Sequence, residues 1–164
     1  MEHDGLAVEG SRKTYAYGEL VLWSQTPQVK KLADLGSYKG RLAMANPVTA
    51  PYGVAAEAVL KKEGLWDQFQ GRVVQGASIQ QAWQFVASGN VSVGLVARSQ
   101  LMDPKYAKEV VFVIPVNLYQ PIQQDMVILK RSKHREAAQQ LSDFLMSATT
   151  QNYIASQGYR EPNR

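Results

Sequence analysis

Asn46-Pro-Val-Thr-Ala-Pro-Tyr-Gly53 is the stretch on which the reading of this chain turns, and Gly76-Ala-Ser-Ile-Gln-Gln81 has the same design. Each follows an apolar, strand-like run and opens a helix-like one. Neither contains a charged side chain. Pro51 suits the first position of a helix, where its missing N–H is no loss. Ser78 and Gln81 have the spacing of a capping box, in which each side chain accepts from the other's backbone N–H. A helix start leaves its first N–H groups without intrahelical acceptors, at the positive end of the macrodipole. Two such starts aimed at one point would form an anion site built from neutral amides.

Outward from these stretches, apolar runs alternate with helix-like segments. Gly18–Ser24, Gly40–Ala45, Arg72–Gln75, Val91–Ala97, Val110–Val116 and Asp125–Lys130 are predicted strands, rich in branched and aromatic residues. Helices are predicted from Pro51 to Glu63, from Ser78 with a stripe of Ile79, Ala82, Trp83 and Val86, and from His134 to Ser147. Thr149 or Thr150 is the expected cap of a last helix that stops at Gly158. Helix-like turns are read near Leu32, over Leu65–Phe69 and over Arg98–Met102. This alternation means α/β units with a largely parallel sheet.

Composition narrows the function classes. The chain has 164 residues, 45% of them hydrophobic and 20% charged, an ordinary globular balance. It contains no cysteine, which excludes disulfides, thiol catalysis and cysteine-based zinc sites. The net charge of +4 is spread out, and Lys61-Lys62 and Lys130–Arg135 read as solvated helix ends rather than a nucleic-acid footprint. The two histidines, His3 and His134, have no Ser or Asp at triad spacing, and no phosphate-cradling Gly-x-x-x-x-Gly-Lys motif is present. No catalytic residue, metal ligand or cofactor is therefore expected. Trp23, Trp66 and Trp83 are read as packing. Met1-Glu-His-Asp4 has neither the basic start nor the apolar stretch of a signal peptide.

Tyr15-Ala-Tyr-Gly-Glu-Leu-Val-Leu-Trp-Ser24, Ala45-Asn-Pro47, Ala50-Pro-Tyr-Gly53, Gly89-Asn90 and Gly94-Leu-Val-Ala97 occur in an order and spacing that resembles the molybdate-binding periplasmic proteins of ABC transporters. The resemblance runs from about Gly5 to Tyr159. It implies a type II periplasmic-binding-protein fold, α/β, with an oxyanion held between two lobes by backbone N–H groups and small hydroxyls. Carried over to this chain, the contributions fall on the backbone amides of Tyr52 and Ile79. Helix-start chemistry adds two further candidates, Gly53, whose missing Cβ lets a ligand come close to the backbone, and the cap residue Ser78. A tyrosine that some members carry near the end of the strand after Gly94 is Ala97 here, so that contact is not expected.

The resemblance also implies a division of the chain. Residues 39–114 would form one complete lobe, and residues 1–38 and 115–164 the hinge crossovers and part of the other, with hinges around Gln25–Tyr38 and Pro115–Gln124. The family's opening strand and its hydroxyl-bearing turn find no counterpart in Met1–Thr14, so the chain reads as one whose N-terminal portion is missing. The implied ligand is molybdate or tungstate, the implied partner an ABC transporter permease, and the implied location the periplasm. Binding of another oxyanion such as sulfate, or a ligand-sensing domain of a regulator with this fold, are the alternatives. Unpaired strand edges would favour a homo-oligomer. Taken singly, each helix start also fits ordinary capping.

Overall fold

The computed structural model describes residues 4–162. In chain order the elements are β1 (Lys13–Gly18), β2 (Leu20–Ser24), β3 (Leu42–Ala45), α1 (Pro51–Lys62), β4 (Val73–Gly76), α2 (Ile79–Ala87), β5 (Val93–Ala97), β6 (Val110–Val113), β7 (Ile122–Met126), α3 (Arg135–Met146), α4 (Ala148–Ser156) and β8 (Tyr159–Arg160). They fall into two compact units: Glu19–Ile122, and the residues up to Gly18 together with those from Gln123 onward.

The larger unit is built on a five-stranded sheet of order β4-β3-β5-β2-β6. β3 runs parallel to both β4 and β5, whereas β2 runs antiparallel to β5 and β6. The sheet is therefore mixed, which corrects the expectation of a largely parallel one. The helix-bearing crossovers do produce parallel neighbours. β2 and β6 enter without such a crossover on the β5 side and pair antiparallel.

Alternation along β3 sorts the core into two layers, because successive side chains of a strand point to opposite faces. Leu42 and Met44 pack with Tyr52, Ala55, Ala56, Val59 and Leu60 of α1. Ala43 packs on the other face with Val86 and, at its margin, Trp83 and Phe85 of α2. The two helices thus cover opposite faces. That arrangement follows from right-handed crossovers, since β3 to β4 moves one way along the sheet and β4 to β5 moves back past β3.

Two boundaries differ from the sequence reading. Gly18–Ser24 is not one strand: it breaks at Glu19, and β1 and β2 belong to different sheets. Gln25–Tyr38, read as a hinge, supplies Val29, Leu32, Leu35 and Tyr38 to the buried core of the larger unit.

The smaller unit carries a sheet of order β7-β1-β8, with β1 and β8 antiparallel. β7 lies over Ile122–Met126 rather than Asp125–Lys130. It is an edge strand, so polar Gln123, Gln124 and Asp125 are admissible, and the apolar Val127–Leu129 beyond it makes only an isolated bridge to Ala7. Gln151 fastens the helices to this sheet by donating to the carbonyls of Tyr15 at 3.0 Å and Leu145 at 2.8 Å. Ser147, not Thr149 or Thr150, caps α4, because a single residue separates α3 from α4 and Ser147 is that extended residue.

Candidate functional site

β3 ends at Ala45, directly across from Gly76 at the end of β4. Parallel neighbours lie about 4.8 Å apart, so the turns leading into α1 and α2 start side by side. One leads to each face of the sheet. A crevice outside the carboxyl ends of adjacent strands, where the crossovers diverge, is the usual ligand position in open α/β sheets.

Glycines let both helix starts settle on these strand ends. A Cβ on Gly53 would lie 2.5 Å from the Ala45 carbonyl oxygen and 2.5 Å from the Asn46 carbonyl carbon. A Cβ on Gly76 would lie 2.7 Å from the Ala82 nitrogen in the first turn of α2. The atoms that come close to Gly53 are backbone of the preceding strand end. Its N–H donates to the Ala50 carbonyl at 2.9 Å. Its conformational part is therefore played in helix–strand packing.

The turn before α1 is closed by its own polar groups. Asn46 Oδ1 accepts from the Val48 N–H, and the Asn46 carbonyl accepts from the Thr49 and Ala50 N–H groups. No side chain caps the helix, whose N-cap residue is Ala50 and whose first residue is Pro51. Tyr52 is the second helical residue and is 9% exposed, its side chain packed in the core beneath α1.

The turn before α2 is braced from three sides. Ser78 Oγ accepts from the Gln81 N–H at 3.2 Å, as the sequence predicts. The reciprocal bond differs: Gln81 Oε1 accepts from Ala77 N–H at 2.7 Å, one residue earlier than the capping-box spacing implies. Thr49 donates its hydroxyl to the Ala77 carbonyl at 3.0 Å, and Asn46 N–H donates to the Gly76 carbonyl at 2.7 Å, so the two turns are directly bonded. From the far side Gln100 donates to the Ile79 carbonyl at 3.2 Å.

The count of donors and acceptors is one-sided. The carbonyls of Gly76, Ala77, Ser78 and Ile79, the Ser78 hydroxyl oxygen and the Gln81 amide oxygen each already hold a donor. The Ser78 and Ile79 N–H groups have no acceptor among the described residues. What this turn still offers is donors. Ser78 is exposed and Ile79 half-buried, so both amides stand where a ligand could reach them.

No carboxylate, imidazole or cationic side chain belongs to either turn. The groups whose proton affinity is displaced lie elsewhere: the Lys30 backbone N–H holds the Asp34 carboxyl below its usual range, and burial raises the Tyr38 hydroxyl. His134 is the N-cap residue of α3 in the smaller unit, and His3 lies outside the described residues. Among the described residues no group of three or more His, Cys, Asp or Glu could hold a metal ion. No helix among them is long and apolar enough to cross a membrane.

Sequence reasoning placed Tyr52, Gly53, Ser78 and Ile79 correctly at the two helix starts and missed Thr49 and Gln100 as their braces. Thr49 lies inside the quoted stretch, but its partner is 28 residues away and depends on strand register. Gln100 carries no motif at all.

Comparison with known proteins gives a consistent picture. The family model described as bacterial extracellular solute-binding protein matches residues 1–160. The molybdate-binding protein ModA of Azotobacter vinelandii is 45% identical over 97% of this chain and 65% of its own length. ModA of Rhodobacter capsulatus is 40% identical over 95% of this chain and 62% of its own length. The chain thus spans somewhat under two thirds of these relatives. The solved periplasmic molybdate-binding protein of Azotobacter vinelandii superposes with a TM-score of 0.88 at 36% identity, covering 98% of this chain and 72% of that one. The fold is that of the periplasmic binding proteins.

Proposed function

The chain belongs to the bacterial extracellular solute-binding protein family, and from that premise we propose that it serves the capture of a tetrahedral oxyanion, molybdate first, for an ABC transporter. The observation that carries this reading is the pair of unpartnered amides at Ser78 and Ile79 in a turn whose acceptors are all engaged. Tyr52 holds the matching place in the first turn of the neighbouring helix and is the proposed second side of the site. The relatives named for molybdate binding support the choice of ligand. The periplasm is the proposed location, the solved relative being a periplasmic protein.

The chemistry favours an oxyanion without protons. Molybdate, tungstate and sulfate present only acceptors, which suits a turn that presents only donors. A protonated phosphate would need an acceptor of its own. Among the three, cavity size is the remaining discriminator, and the larger tungstate and molybdate are the proposed pair. Nothing in this chemistry calls for bond making or breaking, so the proposed role is binding and not catalysis.

Magnitudes set the expected affinity. Two hydrogen bonds to a charged ligand contribute about 1.5–3 kcal/mol each, and the helix dipole adds on the order of 1 kcal/mol. Association costs at least about 4 kcal/mol. The donors described here therefore leave at most about 3 kcal/mol, an affinity of several millimolar or weaker. Titration calorimetry of the chain with molybdate, sulfate and chloride tests the reading. Weak saturable heat with molybdate, smaller with sulfate and none with chloride is expected; equal behaviour of all three ions contradicts it. Self-association is proposed through the smaller unit, where Leu141, Phe144 and Tyr153 are 58%, 63% and 65% exposed. Light scattering at two concentrations checks it.

A further inference from the structure

Lys130-Arg131-Ser-Lys-His-Arg135 is the densest run of cations in the chain. The structure places most of it outside a helix. α3 begins at Arg135, and Lys130, Arg131, Lys133 and His134 stand exposed in the turn that leads into it. That turn is held at several points. Lys130 N–H donates to the Leu6 carbonyl at 2.8 Å, Ser132 N–H to the Leu129 carbonyl at 3.0 Å, and His134 N–H to Ser132 Oγ at 3.3 Å. The Arg135 guanidinium closes it by donating to the Lys130 carbonyl.

The charge of this turn goes unanswered. In the same unit Arg12 pairs with Asp125 and Lys13 with Asp143. Lys130, Arg131, Lys133 and Arg135 have no carboxylate partner among the described residues. Lys130–Glu136 holds these four cations against one carboxylate, Glu136, and so carries +3 of the chain's formal +4. Asp4, on the facing segment, still leaves a surplus.

The cations surround apolar surface. Leu6 is 55% exposed, and with half-buried Leu129 it lines a cavity of about 240 Å³ whose walls include Lys130 and Arg131. Small-molecule sites measure about 300–1,000 Å³, so this hollow is better matched to a surface contact than to an enclosed ligand. Arg131 also lines the neighbouring groove with Ile128, Lys133 and Ala138. A water-exposed leucine ringed by Lys and Arg suits an anionic bilayer, where phosphates accept from the cations and the leucine enters the acyl boundary. An acidic protein would use the cations and leave Leu6 in water.

We propose that the turn Leu129–Arg135, with Leu6 beside it, docks this chain on a membrane surface bearing anionic phospholipid headgroups. Clusters of about four to eight Lys and Arg provide such attraction, each contributing about fivefold in partitioning. Leu6 supplies the apolar part. Docking goes beyond anion capture and does not depend on it: α2 belongs to the larger unit and this surface to the smaller one.

Cosedimentation of the whole chain with lipid vesicles is the test. Wild type is expected to pellet with vesicles of phosphatidylcholine and phosphatidylglycerol in equal parts, and not with phosphatidylcholine alone. Binding should be present at about 0.01 M salt, where the screening length is about 30 Å, and lost at about 1 M, where it is about 3 Å. The combined variant Lys130→Gln, Arg131→Gln, Lys133→Gln should bind about a hundredfold more weakly, and Leu6→Ser about fivefold. Lys39→Gln, Lys61→Gln, Lys62→Gln removes the same charge from the larger unit and should bind much as wild type does. Equal loss in the two triple variants would reduce the attraction to net charge and overturn the proposal. So would binding to neutral vesicles, or none to anionic ones. Retention of wild type on poly-aspartate without vesicle binding would assign the cations to an acidic protein, and overturn it as well. The wild-type results need no variant, so they decide the matter even where a variant fails to fold.

Discussion

Thr49 donates its hydroxyl to the Ala77 carbonyl across 3.0 Å, tying the turn that opens α1 to the turn that opens α2. The bond reaches across the ends of two parallel strands whose last residues, Ala45 and Gly76, are in register. It also pins the peptide that carries the Ser78 N–H, since a carbonyl and the following N–H share one plane. One exposed hydroxyl thus couples the relative placement of two helix starts to the aim of one donor.

Replacing Thr49 with Val keeps the shape and removes the hydroxyl. Loss of about 0.5–1.5 kcal/mol of stability is expected, at the low end because the site is exposed, and urea unfolding measures it. Oxyanion affinity should fall by more than the stability change alone suggests, while Thr49→Ser retains both. Equal affinity in the Val and Ser variants would show that the Ala77 carbonyl does not steer the site.

Gly53→Ala sets two effects against each other. Alanine is a better helix former than glycine by about 1 kcal/mol. Its Cβ, however, would stand 2.5–2.6 Å from backbone atoms of Ala45 and Asn46, which have no side-chain freedom to move. Overpacking of this kind costs about 1–3 kcal/mol. Net destabilisation is expected in denaturant unfolding; a stabilised variant would mean that α1 does not sit against the end of β3.

In the smaller unit Asp125 accepts from Thr14 Oγ1 at 2.7 Å and from Arg12 at 2.7 Å. The Thr14 hydrogen bond is the larger cause that holds its carboxyl below the ordinary range, with Arg12 adding to it. A carboxyl lowered on folding stabilises the folded state above its unfolded value, about 3.9. That contribution is lost as pH falls through the folded value. Wild type should therefore exceed Asp125→Asn in stability by about 0.5–1 kcal/mol at pH 7, and the gap should close below about pH 4. A gap that widens in acid would reverse the assignment. Anion binding by the amides should show no matching step, because neither helix start carries a carboxylate or an imidazole.

Much of this was legible in the sequence because it is local. Pro51 announced a helix start, Ser78 and Gln81 a cap, and the apolar runs their strands. Non-local choices were not legible. The break at Glu19 that sends β1 and β2 to different sheets leaves no composition signal, since a single charged residue is also admissible within one continuous strand. β7 was misplaced because an edge strand tolerates Gln123 and Gln124, while the apolar Val127–Leu129 resembles a strand without pairing as one. Gly53 was read as a donor open to a close ligand, whereas its N–H is held by the Ala50 carbonyl and its bare Cα lies against the end of β3. Gln100 reaches a carbonyl 21 residues away, a distance that only the packing of α2 against β5 can close.

The claim that backbone amides capture the anion is tested most directly at Ile79. Proline fits the first position of a helix. Ser78 is already in the extended conformation that a following proline requires, with φ −139° and ψ 166°. Ile79→Pro therefore deletes one N–H with little disturbance, and Ile79→Val controls for the trimmed side chain. Titration with molybdate, followed by the Ser78 amide resonance, should show the Pro variant at least about tenfold weaker than the Val variant, the loss of one charge-assisted bond of about 1.5–3 kcal/mol. Equal affinity in the two variants would contradict capture by the α2 amides.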